Sequence, residues 1–541
     1  MDPTNSNPTN SGPPPASAVS PALLDGEAPN QSWTLTGQPI VDGKYLDPST
    51  GEIKTHTGLS KGGPPSISVY WQNRLDTGRG DQFHVISKTV ARAGNINEYI
   101  IRVGDLLRTG ACKLDSLNAT RYNVYLVVTS ELSQGGFHRV FQLSGTCNNY
   151  PWGKQGQQSL AAQLCKKTIK DFEIKDDEFY SEMWFGDYPD FPARVLKTGE
   201  LLKDVLDRDK ERLLGKKVID ELGGQLPFLP KILSIAKALP LQIHPNKQLA
   251  AKLHAKDPEN FTDPNHKPEI AVALSKFEVF AGFKPLSEIE PLFKLPALHS
   301  FVPPNTTHWT DQTLRAVTRN LLKADDATIK STQHRLLSTP QSDLGNNNAA
   351  YILNLLPRLQ TQHGPADPGA LVALTCTNFM TLQPGEALYI PADGVHAYLG
   401  GDIVECMARS NNVLNAGFCP RAERNSIDLF ADTLTFDKAH SRGDVVLPGV
   451  EAGRSGVGRT RVYRPPMSEF DMLRVELGVG EGDEIGEGEG PGVMVVTRGG
   501  GRMYADGERF ELGEGAIYFV APGVKVRWET EMGMEVYMAV V

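Results

Sequence analysis

Hydrophobic positions are unevenly spread along the chain, and its first quarter differs from the rest. Residues 1–66 hold few aliphatic side chains among Pro, Ser, Thr, Asn and Gly. A segment with so little to bury is typical of a disordered tail, with short extended pieces at most around 33–41. Residues 67–139 contain apolar segments such as EYIIRVGDLL and YNVYLVVTSEL. These segments predict β-rich or mixed structure, to which we assign no function.

Helical and strand periodicities then separate along the remaining chain. Leu and Val recur at three- and four-residue spacing in 199–222, and several short amphipathic stretches follow across 285–339. This spacing predicts helices. Strand patterns dominate elsewhere, notably at 238–243, 269–283, 370–409 and 463–541. The pattern therefore predicts a mainly β protein with α-helices.

One stretch of sequence occurs twice. Residues 384–399 (PGEALYIPADGVHAYL) resemble residues 513–528 (GEGAIYFVAPGVKVRW). A strand, a Pro/Gly turn and a second strand form one hairpin of a double-stranded β-helix, so we predict two such sandwiches. The alignment places Lys525 where the first copy has His396. Only the first copy is therefore expected to hold a metal.

Composition and charge exclude several classes of protein. The 541-residue chain carries 55 basic and 64 acidic residues, a net charge of −9, which argues against a nucleic-acid or acidic-membrane partner. The N-terminus lacks the basic and apolar regions of a secretory signal, and no apolar run approaches the length of a membrane span. The six cysteines are scattered without a CxxC pair, as in reduced cytoplasmic proteins. We expect a cytoplasmic monomer.

Candidate metal ligands lie in three separate segments. Gln242 and His244 are two residues apart in a predicted strand, so their side chains share a face. Glu269 opens the apolar strand EIAVAL, and His396 follows a Pro/Gly turn. Each signal is weak alone, because a strand His is more often an ordinary buried polar residue. Two imidazoles, a carboxylate and an amide oxygen together suit a borderline divalent ion such as Zn²⁺.

Several long motifs extend this pattern. They are NYPWGK at 149–154, YSEMW at 180–184, PFLPKILSIAKALPLQIHP at 227–245, HKPEIAVAL at 266–274 and YIPADGVHAYLGGDIVECMA at 389–408. From about residue 140 to 541, the chain resembles the zinc-dependent type I mannose-6-phosphate isomerases (phosphomannose isomerases) of fungi. The resemblance implies one Zn²⁺ per chain, with ligands Gln242, His244, Glu269 and His396.

The resemblance also implies a reaction and roles for further residues. The family interconverts mannose 6-phosphate and fructose 6-phosphate through a cis-enediolate, and so feeds GDP-mannose synthesis. Such chemistry needs a Lewis acid, a base near C1 and C2, and cations for the phosphate. Glu405 and Lys267 match family residues proposed for proton transfer or substrate orientation. Lys231 is the candidate cation for the phosphate, although an ordinary surface lysine is the alternative for Lys231 and Lys267.

The fold implied by the resemblance is two cupin-like jelly rolls (double-stranded β-helices), a helical insertion domain and a disordered N-terminal extension. We place the boundaries as a tail at 1–66, an unassigned extension at 67–139, a catalytic cupin at 140–285 and 373–445 interrupted by helices at 286–372, and a metal-free cupin-like domain at 446–541.

Departures from the family pattern cluster at the substrate end. Asn411 and Asn415 stand where the family has an Asp and an Arg, and Pro240 stands where a Ser is common. Asp187 and Tyr188 replace a Thr-His pair. Arg409 occupies a position of small residues, and either supplies the missing cation to the substrate or pairs with Glu405. The alternative function is therefore a divergent paralogue that keeps zinc but acts as a sugar-phosphate sensor or regulator. A storage or scaffold cupin is disfavoured by Glu405 and Lys267.

Overall fold

A computed structural model describes residues 138–541 apart from 170, 345–348, 437–441 and 468, and only the backbone of seven strands before residue 138. The chain divides into a unit Met1–His138 and a unit Arg139–Val541. The strands of the first unit are β1 (Ser32–Trp33), β2 (Pro39–Ile40), β3 (Lys44–Leu46), β4 (Ile53–Thr55), β5 (Pro65–Asn73), β6 (Gln82–Val90) and β7 (Tyr122–Ser130), with β5 antiparallel to both β6 and β7. Apart from these strands and residues 138–139, the predicted tail and extension lie outside the described residues.

The second unit is mainly β, with helices. Its strands are β8 (Val140–Ser144), β9 (Thr146–Asn148), β10 (Lys154–Gln155), β11 (Phe179–Tyr180), β12 (Glu182–Trp184), β13 (Arg194–Val195), β14 (Phe228–Ile235), β15 (Leu241–Ile243), β16 (Glu269–Ala273), β17 (Phe277–Phe283), β18 (Thr377–Leu382), β19 (Ala387–Ile390), β20 (His396–Ala408), β21 (Leu414–Gly417), β22 (Val446–Leu447), β23 (Val450–Glu451), β24 (Thr460–Tyr463), β25 (Asp471–Leu477), β26 (Gly482–Ile485), β27 (Gly492–Ala505), β28 (Glu508–Gly513), β29 (Ile517–Val520), β30 (Val526–Glu529) and β31 (Met534–Val540).

These strands form two β regions of similar plan. The first β region contains β9, β12 and β14–β22, and the second contains β8, β13 and β23–β31. One buried apolar cluster fills each interior, a third lies between the two regions, and a fourth joins the helices to the first region. The two regions therefore share a core along their facing sheets.

A single long strand, β20, belongs to both sheets of the first region. Its first half pairs with β15 and β17, and its second half pairs with β14 and β16. The strand changes direction at Gly401, whose φ is +123° and where a Cβ would lie 2.6 Å from the carbonyl oxygen of Lys276. Only glycine fits this corner.

The helices lie mostly between strands of the first region. They are α1 (Leu160–Thr168), α2 (Leu202–Arg208), α3 (Lys210–Leu213), α4 (Lys216–Glu221), α5 (Lys247–Lys256), α6 (Leu286–Leu292), α7 (Asp311–Lys323), α8 (Asp326–Leu337), α9 (Ala349–His363), α10 (Gly369–Cys376), α11 (Ile427–Thr433) and α12 (Arg442–Val445). Short 3₁₀ turns occur at Gly156–Gln158, His299–Phe301, Gln341–Leu344 and Arg421–Glu423. Within the described part of the chain, no helix combines the length and apolar character needed to cross a bilayer.

One predicted strand segment is wrong. The sequence analysis assigned strand structure from residue 370, but Gly369–Cys376 forms α10 and every residue of it is buried. A short, wholly apolar run carries no periodicity that separates a buried helix from a buried strand. Strand structure begins only at β18.

The internal repeat is real in the strand plan, but its alignment shifts by one residue. Gln242 pairs with His396 in the first region, whereas Ile485 pairs with Val526 in the second. Lys525 faces outward with a 54% exposed side chain and forms an ion pair with Glu484. Because a shift of one residue exchanges the two faces of a strand, Val526 stands in the place of His396, not Lys525.

Candidate metal and substrate site

Three predicted ligands converge inside the first β region. His244 directly follows β15, Glu269 opens β16 and His396 opens β20. Their ligating atoms all lie within 4.8 Å of one another. Glu269 Oε1 is 3.2 Å from Nε2 of His244, and its Oε2 is 3.6 Å from Nε2 of His396. All three side chains are at most 2% exposed, so the group is enclosed by protein.

Both imidazoles are oriented by backbone carbonyls. Nδ1–H of His244 donates to the carbonyl of Asn412 at 2.8 Å, and Nδ1–H of His396 donates to that of Gly394 at 3.0 Å. Each Nε2 therefore keeps its lone pair for the interior. Burial lowers the pKa of His396 to about 4 and also lowers that of His244, so both rings are neutral at pH 7.

The fourth predicted ligand, Gln242, lies beside His396. Its side-chain amide nitrogen is 3.2 Å from Nε2 of His396. A half-turn of the amide brings its oxygen to this position, since the two orientations have the same shape. The structure therefore brings Gln242, His244, Glu269 and His396 together.

Two further groups hold the carboxylate of Glu269. The Tyr398 hydroxyl donates to Oε2 at 3.1 Å, and Lys267 Nζ lies 3.4 Å from Oε1. Burial acts to raise the pKa of Glu269, but the positive charge of Lys267 and contacts with the histidines hold it well below its ordinary value. The carboxylate is thus ionised. Tyr398 was not among the predicted site residues, although its position two residues after His396 places it on the same strand face.

Glu405 and Lys231 form a buried ion pair on the adjoining wall. They are direct partners across β14 and β20, with Lys231 Nζ 3.1 Å from Glu405 Oε1 and side chains 6% and 5% exposed. Burial raises the pKa of Glu405 to about 7, against the effect of Lys231. Burial lowers the pKa of Lys231, but the neighbouring carboxylates raise it above its ordinary value. Lys231 is therefore charged, and Glu405 exchanges its proton near neutrality.

The Lys231 ammonium also rests on an aromatic ring. It lies 4.6 Å from the ring centroid of Trp184, whose Nε1–H donates to the buried carboxylate of Glu182. Asn148 donates to the same carboxylate at 3.3 Å. These partners fix Trp184 beneath the ammonium. The sequence analysis quoted Trp184 and Glu182 within the YSEMW motif but gave them no role.

Arg409 lies one residue beyond β20 and forms an ion pair with Asp187 rather than with Glu405. Its guanidinium carbon is 4.8 Å from the ring centroid of Tyr188. Arg409, Asp187 and Tyr188, all departures from the family pattern, therefore form one cluster. No sequence periodicity connects Asp187 with Arg409, because the two residues lie on different elements.

Asn411 and Asn415, the two asparagines that differ from the family pattern, lie in different surroundings. The backbone N–H of Asn411 donates to Asp263 Oδ2 at 2.8 Å, and its side chain is exposed. Asn415 is the cross-strand partner of Gln242 between β15 and β21. Its Oδ1 is buried with no hydrogen-bond partner in the described part of the chain. Of these two asparagines, Asn415 is therefore the one that lies next to the candidate ligands.

The ligand residues fit a zinc ion. Nε2 of His244 is buried and makes no hydrogen bond of acceptable geometry, even though Glu269 lies nearby. An orphaned buried nitrogen beside a carboxylate and a second neutral imidazole is the donor set that Zn²⁺ prefers. The arrangement supplies a Lewis-acid position beside a carboxyl group that titrates near pH 7.

Comparisons with known proteins agree with this geometry. Residues 140–286 match the family model for the catalytic domain of type I phosphomannose isomerase. The mannose-6-phosphate isomerase of Saccharomyces cerevisiae is 34% identical over 418 residues, which cover 73% of this chain and 96% of that protein. That of Cryptococcus neoformans var. neoformans is 36% identical over 436 residues, covering 74% and 99%.

Solved structures share the fold. A mutant of phosphomannose isomerase from Salmonella typhimurium matches with a TM-score of 0.62 at 24% identity, covering 74% of this chain and 99% of that one. A mannose 6-phosphate isomerase bound with zinc and yttrium matches with a TM-score of 0.61, 24% identity and the same coverage. With the sequence relatives matched over nearly their whole length, the chain belongs to the type I mannose-6-phosphate isomerase family.

Proposed function

We propose that the protein is a zinc-dependent aldose–ketose isomerase that interconverts mannose 6-phosphate and fructose 6-phosphate through a cis-enediolate. The observation that carries this proposal is Glu405, a buried carboxyl group with a pKa of about 7. It is not a ligand, yet it lies two residues before Met407, the cross-strand partner of the ligand Glu269. A base of this pKa beside a Lewis-acid position matches the needs of enediolate chemistry.

The proton transfer is assigned to Glu405, and the orientation of the substrate to Lys267. In the aldose-to-ketose direction, Glu405 accepts the proton from C2 of the sugar and returns it to C1, while the hydroxyl proton passes from the oxygen on C2 to the oxygen on C1, so no net proton is gained or lost. Lys231 stays protonated beside Glu405 and favours its ionised form. Lys267, 3.4 Å from Glu269 and 15% exposed, lies between the ligand carboxylate and the solvent side and orients the sugar oxygens.

One zinc ion is proposed per chain, held by Gln242, His244, Glu269 and His396. When bound, it supplies a positive charge that stabilises the oxyanion developing on the sugar. His244, Glu269 and His396 are all buried, so the surrounding protein excludes water from the ion. Tyr398 and the two backbone carbonyls fix the ligands' orientation.

The finer architecture and cellular setting complete the proposal. The two β regions are proposed to be cupin-like jelly rolls, the first catalytic and the second metal-free, with α6–α10 as a helical insertion. Lys231 and Arg409 are the proposed substrate-binding cations. The protein is proposed to be a cytoplasmic monomer whose product serves GDP-mannose synthesis.

A second candidate is favoured by Asn415. A divergent paralogue would keep the zinc site but act as a sugar-phosphate sensor with weak or no isomerase activity. Asn415 leaves a buried oxygen without a hydrogen-bond partner among the described residues, next to Gln242 and at a position where the family resemblance implies an arginine. An unfilled hydrogen-bonding position beside the ligands weakens stabilisation of the substrate oxyanion.

A coupled assay with mannose 6-phosphate decides between the two. The purified full chain is measured beside His396→Ala, together with the zinc content of both proteins. Turnover well above that of His396→Ala supports the isomerase. No turnover above that variant, with stoichiometric zinc in the unmutated protein, contradicts the isomerase and favours the paralogue.

A further inference from the structure

Arg409 presents an unused edge of its guanidinium group. Nη1 donates to the carboxylate of Asp187 and, at 3.3 Å, to the carbonyl of Leu226. Nε and Nη2 have no acceptor among the described residues. The side chain is 20% exposed, and one face of the guanidinium covers the ring of Tyr188. One edge and one face are therefore fixed, whereas the second edge is open.

Arg409 itself lies on the strand face that leads to the ligand cluster. Backbone N–H of Arg409 donates to the carbonyl of Pro227 at 3.0 Å, which continues the pairing of β20 with β14. Arg409 therefore shares a strand face with Met407 and Glu405. Met407 packs against Trp184 and Tyr188 and is the cross-strand partner of Glu269.

The other cation on this wall is not free. Lys231 is 6% exposed on its side chain, and its ammonium already lies against Glu405. Arg409 has two unpaired N–H donors on one edge, in the geometry that matches two oxygens of a phosphate. Asp263, another carboxylate whose charge acts on Tyr188, accepts hydrogen bonds from the backbone N–H of Asn411 and the amide of Asn412. It does not compete for Arg409.

We propose that Arg409 binds the phosphate group of the sugar phosphate through Nε and Nη2, and that Asp187 and Tyr188 are positioning residues that hold it in place. This inference rests on the proposed function. It separates the two predicted substrate cations: Arg409 contacts the phosphate, and Lys231 acts through Glu405.

Asp187 is suited to positioning because its carboxylate is buried behind the guanidinium. Its side chain is 3% exposed, and Arg409 is the cation that neutralises it. Tyr188 makes the second contact through its ring rather than its hydroxyl. A long arginine side chain held on one edge and one face loses little further freedom when phosphate binds the open edge.

The test measures binding of inorganic phosphate to the zinc-loaded full chain by isothermal titration calorimetry, with KM and kcat for mannose 6-phosphate. We expect Arg409→Gln to weaken phosphate binding by about 100-fold and Asp187→Asn by about 10-fold. KM should rise in parallel, while kcat changes by less than about 3-fold. Tyr188→Leu should weaken binding several-fold, and Tyr188→Phe, which keeps the ring, should not.

A matched pair controls for the general loss of a buried ion pair. Asp367 is 2% exposed and accepts from Nη2 of Arg424 at 2.7 Å, and neither residue belongs to the proposed site. Asp367→Asn should leave phosphate affinity and KM unchanged. Arg409→Lys keeps the charge without the two-pronged edge, so a several-fold loss in that variant supports the inference even where Arg409→Gln folds poorly.

The outcomes separate this inference from the proposed function. Wild-type phosphate affinity in Asp187→Asn, Arg409→Gln and Arg409→Lys overturns the inference, whether or not the protein is an isomerase. If the unmutated chain shows no turnover but its phosphate affinity depends on Arg409 and Asp187, the phosphate site stands and the isomerase proposal fails.

Discussion

The two β regions pair their strands in the same way, but the side chains that face their interiors differ in polarity. At matching register positions, the first region carries Gln242, His396 and Glu269, whereas the second carries Ile485, Val526 and Gly492. A cavity in the second region is lined by these three residues together with other apolar side chains, further glycines and Arg454. The same pairing of strands therefore supports a polar interior with candidate metal ligands in one region and a mainly apolar interior in the other.

The difference extends to the proposed base and its cation. Met407 is the partner of Glu269 and Val540 the partner of Gly492, so Glu405 corresponds to Met538. Lys231 corresponds in turn to Leu473. Backbone hydrogen bonding fixes where a site can form, and a few inward side chains decide whether it is reactive.

The largest effect is expected from removing a ligand. Glu269→Gln leaves two neutral imidazoles without their carboxylate, so zinc affinity should fall by more than about 100-fold and isomerase activity by about 1,000-fold. Metal analysis after dialysis and the coupled assay measure both. The control is Lys525→Ala in the second region, which removes an exposed side chain and should leave zinc content unchanged. Unchanged zinc affinity in Glu269→Gln would contradict its assignment as a ligand.

Replacing the proposed base should have the next largest effect. Glu405→Gln removes the proton acceptor, and kcat should fall by about 100- to 10,000-fold while zinc content stays unchanged. In the unmutated protein the ionised carboxylate is the active form. Since burial raises the pKa of Glu405 to about 7, activity should be full above that pH and decline as the pH falls below it. A kcat that is flat from pH 8 to about pH 5.5 would remove Glu405 from the proton transfer.

The comparison is sharpened by placing an imidazole in the second region. Val526→His puts a buried polar ring opposite Ile485, in a region where Gly492 stands at the position that matches Glu269. We expect the free energy of unfolding to fall by about 2 kcal/mol and no second zinc to bind. Urea unfolding and metal analysis measure these effects. Lys525→His, one residue away and exposed, is the control and should change stability by less than about 0.5 kcal/mol. A second stoichiometric zinc in Val526→His would show that the apolar neighbours do not prevent binding.

The smallest expected effect comes from restoring the family residues. Asn415→Arg with Asn411→Asp places a five-donor cation beside Gln242, and activity should rise by about 10-fold. The coupled assay measures this activity. Asn411→Asp alone is the control, because the Asn411 side chain is exposed and its backbone N–H bonds to Asp263, which is not a candidate ligand. Unchanged activity in the double variant would show that these departures do not limit the reaction.

Local pattern was enough to predict much of the fold. The strands from β15 to β20 lie within the segments predicted as strand, and the helices at 199–222 and 285–339 follow their period, whereas β14 lies outside the predicted strand segments. The error at α10 arose because Gly369–Cys376 is buried on all sides, so it has no polar face to mark its period. The two copies of the repeat were aligned one residue out of register because the alignment followed identical residues in the turn. Such an alignment ignores which residues of each strand face inward.

The residues of the candidate site were likewise only partly predictable from the sequence. The four candidate ligands lie in motifs that are recognisable one at a time, and the structure brings them together, while their role in holding zinc stays a prediction. The pairing of Arg409 with Asp187 was not predicted, because alternation on β20 placed Arg409 beside Glu405 and gave no sign of a partner from another element. Long-range charge pairing depends on how elements pack, and single-sequence periodicity contains no information on that packing.

The corner at Gly401 lets both halves of the strand β20 contribute side chains to the same site. Residues on either side of this corner reach one interior, with His396 before it and Glu405 after it. A metal ligand and a proposed base are therefore held at a fixed separation by one continuous piece of backbone, without any loop between them. Because only glycine fits this corner, a substitution at residue 401 would shift His396 relative to Glu405 and so change the distance between the proposed ligand and the proposed base.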